Sequence, residues 1–128
     1  MLEETTCEGD VVARKTDVIV VLVNCKSKAD ARRITTTLIE KRLAACGNIL
    51  ESPVSSIYPW KGKIERAKEY LVILKSTRNT FAALEREVTR LHSYEVPEVI
   101  ALPIALGSRR YLSWVGESVG KKYVPRLL

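Results

Sequence analysis

The sequence is poor in the residues that carry chemistry. Among its 128 residues there is a single histidine, His92, with one phenylalanine and one methionine. A hydrolytic site needs a nucleophile, a base and an orienting group. One histidine and no G-x-S-x-G motif supply no such set, so the chain is expected not to be an enzyme. Three cysteines, Cys7, Cys25 and Cys46, form no C-x-x-C. A small metallochaperone would carry that motif after its first strand, where this chain has NCKSK. Three thiols cannot all pair within one chain, which argues for a reducing compartment and a cytoplasmic location. Aromatic residues make up only 6%. An RNA-recognition module stacks bases on aromatic residues of its central strands. Here the corresponding runs are VIVVLV and YLVILK, in which Tyr70 alone is aromatic, so no nucleic-acid partner is expected. No apolar run approaches the roughly 20 residues that span a bilayer, so no membrane association is expected either. The opening MLEETTCEGD lacks the basic and apolar regions of a secretory signal, and residues 1–16 read as a flexible leader.

What is present is the composition of a globular domain, 46% hydrophobic and 28% charged. The net charge of +6 is spread along the chain and mixed with acids, which describes a solvated surface. One domain is expected over residues 17–119, with a basic tail, KKYVPRLL, closing the chain over 120–128.

The hydrophobic pattern orders the elements. DVIVVLVN, from Asp17 to Asn24, is almost continuously apolar and short, as in a central strand covered on both faces. Ser27 and Asp30 form an S-x-x-D helix start, and Ala31, Ile34 and Leu38 follow at helical spacing to about Arg42. Residues 44–58 read as extended, with Gly47 marking a bulge or a close backbone approach. PWKGK is a turn, and IERAKEYLVILKS a long strand that begins outside its own core. Asn79 or Thr80 is placed to cap a second helix, with Phe81, Leu84, Val88 and Leu91 as its stripe. Pro97 ends any helix before it, VIALPIA is a last strand held to a sheet edge by Pro103, and residues 110–119 form a short helix carrying Tyr111, Trp114 and Val115. The order β-α-β-β-α-β plus a C-terminal helix is an α+β, ferredoxin-like arrangement, an antiparallel sheet with helices on one face.

Five words of the sequence, RLAAC, SIYPWKGKIE, LVILKSTR, LHSYEVPEVIALPI and YLSWV, stand in an order and spacing that resemble the CutA divalent-cation tolerance family. The resemblance runs from about Val18 to Val119. It implies a ferredoxin-like domain assembled as a tight homotrimer, similar in shape to PII signalling proteins. It also implies a non-catalytic role in tolerance of copper and other divalent metals. The alternative is a PII-like trimeric sensor of a small anionic ligand or nucleotide. Copper-binding relatives carry a cysteine where this chain has Val23 and a first histidine where it has Leu91.

Candidate residues follow from donor chemistry. Imidazole and thiolate suit copper or zinc and a carboxylate can complete the set, so His92, Cys25 and Glu98 are the expected ligands of a weak metal site. The competing role for His92 is to close a helix by bonding a carbonyl, with Cys25 an ordinary loop thiol. Cys46, among small apolar residues, reads as buried filler. Tyr58, Trp60 and Ile64 beside the turn read as anchors of the trimer interface. Lys75 ends an apolar strand and needs a partner, for which Tyr94, Glu95 or Glu98 is expected.

Overall fold

The computed structural model describes residues 11–12 and 17–120. Its elements in chain order are β1 (Val11–Val12), β2 (Val18–Cys25), α1 (Lys28–Glu40), β3 (Cys46–Ile49), β4 (Val54–Trp60), β5 (Lys63–Thr77), α2 (Phe81–Leu91), β6 (Val99–Pro103), β7 (Gly107–Ser108) and α3 (Arg109–Ser118). The main sheet is antiparallel in the order β3-β5-β2-β6, with β4 continuing along β5 beyond β3. This is the ferredoxin-like order expected from sequence, with β6 and its Pro103 at an edge. One expectation shifts. Val11 and Val12, assigned to the leader, pair with Ser108 and Gly107, because backbone groups need no side-chain signal to form a bridge. The rest of that leader and residues 121–128 of the basic tail lie outside the described residues.

Alternation along β2 divides the core. Ile19, Val21, Val23 and Cys25 point to one face and are buried with Ala31, Ile34 and Leu38 of α1, Leu84 and Val88 of α2, and Val72 and Leu74 of β5. Removing each of these valine, leucine and isoleucine side chains from water contributes about 1.5–3 kcal/mol. Val18, on the opposite face, packs with Leu112 and Val115 of α3, so α3 covers only one end of that second face. The remainder is apolar and half open: Leu22 opposes Ile100 and Val20 opposes Leu102, and the two β6 side chains are about half exposed.

Local chemistry sets the element ends. The Ser27 hydroxyl accepts the amide hydrogen of Asp30 at 3.1 Å, the expected cap of α1. That helix closes at Glu40 rather than Arg42, and Arg42 takes a positive φ of 58°. Its amide donates to the Ile39 carbonyl at 3.0 Å and that of Leu43 to the Leu38 carbonyl at 2.8 Å, a Schellman closure with arginine where glycine is usual. The Arg42 guanidinium donates to the Glu117 carbonyl at 2.7 Å and the Gly120 amide to the Arg42 carbonyl at 3.0 Å, which fastens this corner to the end of α3. At α2, neither Asn79 nor Thr80 caps through its side chain; a 3-10 turn over Arg78–Thr80 leads straight into the helix. Gly47 makes the close approach expected of it, since a Cβ there would run into the Thr35 methyl on α1 and the Leu74 side chain. Lys61 and Gly62, both at positive φ, form the two-residue turn between Trp60 and Lys63, the geometry that matches the twist of a hairpin.

Across the helical layer, Lys41 of the α1 corner and Arg90 of α2 both donate to the Glu87 carboxylate, at 2.9 Å and 2.5 Å. The Arg90 contact first, then that of Lys41, hold the Glu87 carboxyl down at about 2.

Candidate functional site

A cleft of about 750 Å³ opens where the end of β2, the β4–β5 ribbon and the loop after α2 meet. Tyr58 and Trp60 of β4, Tyr94 of the loop, and the carboxylate residues Glu69, Glu95 and Glu98 line it together with Asn24, and among the described residues no lysine or arginine does. In a chain of net charge +6, this is a locally acidic, aromatic surface.

His92 builds one wall. Its backbone amide closes α2 on the Val88 carbonyl at 2.8 Å. Its Nδ1 accepts the amide hydrogen of Tyr94 at 3.1 Å, which fixes the proton on Nε2, and Nε2 donates to the Asn24 carbonyl at 2.6 Å. Both ring nitrogens are therefore spent on bracing the loop against the end of β2. The Tyr94 ring lies against the imidazole with centroids 4.7 Å apart. Burial, and then the Glu69 carboxylate beside it, push the Tyr94 phenol well above its ordinary pKa. It stays a neutral donor at physiological pH.

Glu69 is only 6% exposed, and among the described residues no lysine, arginine or histidine forms an ion pair with it. Asn24 Nδ2 donates to Glu98 Oε1 at 3.1 Å, while Asn24 Oδ1 is buried without a hydrogen-bond partner. Trp60 already receives a cation: the Lys61 ammonium lies 5.7 Å from its ring centroid.

The structure places the expected metal ligands in different roles. His92 is a brace and Glu98 holds Asn24. Cys25, expected as a loop thiol, is the last residue of β2 and fully buried on the helical face. Burial first, and then the Asp30 carboxylate, raise its pKa to about 11, so it is a neutral thiol where a metal would want thiolate. Among the described residues no three His, Cys, Asp or Glu side chains converge as a metal-binding group, so they offer no closed coordination shell of the expected kind.

Two expectations, for Lys75 and Cys46, are corrected. Lys75 does not reach Tyr94, Glu95 or Glu98; its ammonium bonds Asn48 Oδ1 and lies 3.8 Å from Cys46 Sγ, because the β3–β5 register sets Cys46 directly opposite Lys75. Cys46 is correspondingly half-buried beside that ammonium, not enclosed filler. On the ribbon, Tyr58 and Trp60 are each 37% exposed and Ile64 61%. Ile64 stands opposite Pro59 and Lys63 opposite Trp60, so Ile64 shares its face with Ile57, and the two aromatics occupy the other.

Glu69 and Asn24 were not singled out from sequence. The available signal was a carboxylate in KEYLVILK, at the step from the polar to the apolar half of one strand.

Comparison with known proteins follows the same lines. The model of the CutA1 divalent ion tolerance protein family matches residues 19–118. The divalent-cation tolerance protein CutA of Thermus thermophilus is 46% identical over 101 residues, spanning 79% of this chain and 97% of its own length. Protein CutA of Mus musculus is 44% identical over 98 residues, which are 77% of this chain and 55% of that protein. The solved structure of the divalent cation tolerance protein from Thermus thermophilus superposes with a TM-score of 0.78 at 45% identity, covering 80% of this chain and 99% of the other.

Proposed function

The chain belongs to the CutA1 divalent ion tolerance family, and from that premise we propose that it acts in the cytoplasm as a non-catalytic homotrimer whose clefts collect divalent cations weakly. The observation that carries the reading is the lining of the cleft. Its carboxylate residues Glu69, Glu95 and Glu98 face it without a lysine or arginine among them. Such a surface draws cations and repels the small anions or nucleotides of a PII-like sensor. Without a closed shell of ligands, binding is loose and exchangeable, which suits a tolerance role better than a tightly held cofactor. The half-open second face of the sheet and the exposed ribbon support assembly, because they leave apolar side chains and a strand edge for another copy to cover.

Calorimetric titration of Cu²⁺ and Zn²⁺ tests the binding part. Glu95→Gln and Glu98→Gln should each weaken the metal, whereas Cys25→Ser should leave it unchanged, since that thiol is buried and neutral. His92→Ala should act only through the loop that it braces. If Cu²⁺ and Zn²⁺ bind equally well to the wild type and to both glutamine variants, the cleft is not where cations gather.

A further inference from the structure

We infer that the cleft is a receptor for a small organic cation, an aliphatic ammonium or diammonium compound, with Glu69 as its counter-ion and the Tyr58 and Tyr94 rings as its walls. This rests on reading the cleft as the cation-collecting part of the molecule and specifies which chemistry of cation it fits.

Three independent features point to that class. The first is Glu69, a carboxylate all but removed from water. The neutral Tyr94 phenol stands beside it, and no lysine, arginine or histidine among the described residues forms an ion pair with it. A buried anion in that position is stabilised by an incoming positive group. The second is the Asn24 Oδ1 acceptor, buried beside the same cleft without a donor, where an ammonium N–H supplies what the protein does not. The third is the aromatic wall. Ring faces attract cations, best when the cation sheds its water easily, and Tyr58 and Tyr94 both line the cleft.

A transition-metal ion asks for something else. It needs nitrogen, sulfur or oxygen donors converging at bonding distance, and among the described residues no three His, Cys, Asp or Glu side chains converge in that way. It also needs little room, while a cleft of about 750 Å³ lies within the range of organic-ligand sites, roughly 300–1,000 Å³. An alkylammonium is satisfied by single carboxylates and ring faces, and its methylene chain by the apolar surface between them.

The test is titration of putrescine into the full chain, followed by calorimetry, with 1,4-butanediol as the uncharged counterpart of the same length. Putrescine should bind saturably and the diol should not. Glu69→Gln keeps the shape of the side chain and removes its charge, and should weaken putrescine about tenfold or more, as for other close charge pairs. Tyr94→Phe leaves the charge and the ring and removes only the neutral hydroxyl, so putrescine should bind it at least as well as wild type. Sedimentation of each variant keeps a loss of assembly from passing as a loss of ligand. If Glu69→Gln does not assemble, the diol comparison and Tyr94→Phe decide. Equal affinity for putrescine and the diol, an unaffected Glu69→Gln, a Tyr94→Phe that no longer binds, or no putrescine binding at all would overturn the inference. Titration with Zn²⁺ separates the two readings. Zn²⁺ binding without putrescine binding overturns this one and leaves the metal role intact; putrescine without Zn²⁺ does the reverse.

Discussion

Strand β5 is one run of 15 residues in two different surroundings. Over residues 70–77 it pairs with β2, and over 72–75 with β3 as well, beneath the helices, and Val72, Leu74 and Ser76 are 1% exposed or less. Over residues 63–69 it pairs with β4 alone, and Ile64 stands 61% exposed. The backbone is the same; the cover is not. Stability of the protomer therefore belongs to the inner half, where side chains alternate between the helical layer and the second face. The outer half carries apolar groups that the single chain leaves in water, and under the proposed assembly another copy would cover them. Glu69 sits at the junction, the last residue paired to β4 and already enclosed.

Substitutions can break or sharpen this contrast. The largest effect should come from Leu74→Ala, which empties a fully buried site and should cost about 2–5 kcal/mol, read from the urea midpoint at fixed protein concentration. Ile64→Ala, on the same strand, should change the stability of the protomer by no more than about 0.5 kcal/mol. Equal losses at the two positions would erase the distinction between the halves. Next in size, Trp60→Ala should weaken assembly by about 2 kcal/mol, as an aromatic anchor does, with the secondary structure of the protomer unchanged. Sedimentation equilibrium of wild type should give three times the chain mass, and a wild-type monomer at micromolar concentration would leave the outer half without a role.

The smallest effect belongs to neither half but to the layer above the inner one. The Glu87 carboxyl titrates at about 2 when folded, below the ordinary value of 4.5. A depressed carboxyl stabilises the fold above its unfolded pKa, and that contribution is lost as pH falls from about 4.5 toward 2. Glu87→Gln should flatten the acid limb of the urea midpoint within that window. A variant whose acid limb matches wild type would show that the Lys41–Glu87–Arg90 group adds nothing to folding.

Much of the inner half was legible in the sequence because each element there carries a redundant signal. VIVVLV is too apolar for anything but a covered strand, Leu84 and Val88 fall on one helical stripe, and Ser27–Asp30 marks a helix start. The turn at Lys61–Gly62 and the strand order followed from the same marks. What escaped depends on register or on contacts between distant residues. Cys25 reads as a loop thiol until the length of β2 sets its parity and puts it inside. The partner of Lys75 follows only from Cys46 lying opposite it across two strands. The two bonds of the His92 ring join residues separated by 68 and by 2 positions, and nothing local announces the longer one. Ile64 and Trp60 read as sharing a surface until the hairpin pairing assigns them to opposite ones. The cleft was hardest to read, because Glu69 and Asn24 are ordinary residues made unusual by enclosure.

The strand order carries a further consequence, for how the chain is made. β2 is the centre of the sheet, but both of its neighbours, β5 and β6, come later in the sequence. At a synthesis rate of about 5–20 residues per second, several seconds separate the emergence of Val18–Cys25 from that of its first full partner. During that interval VIVVLV is an unpaired apolar ribbon outside the ribosome, with only α1 at hand to shelter one side. Long-range pairings of this kind also slow folding, because the intervening loop must close before any contact repays it. The nascent chain, more than the finished protein, is therefore where β2 exposes a surface for a chaperone to hold.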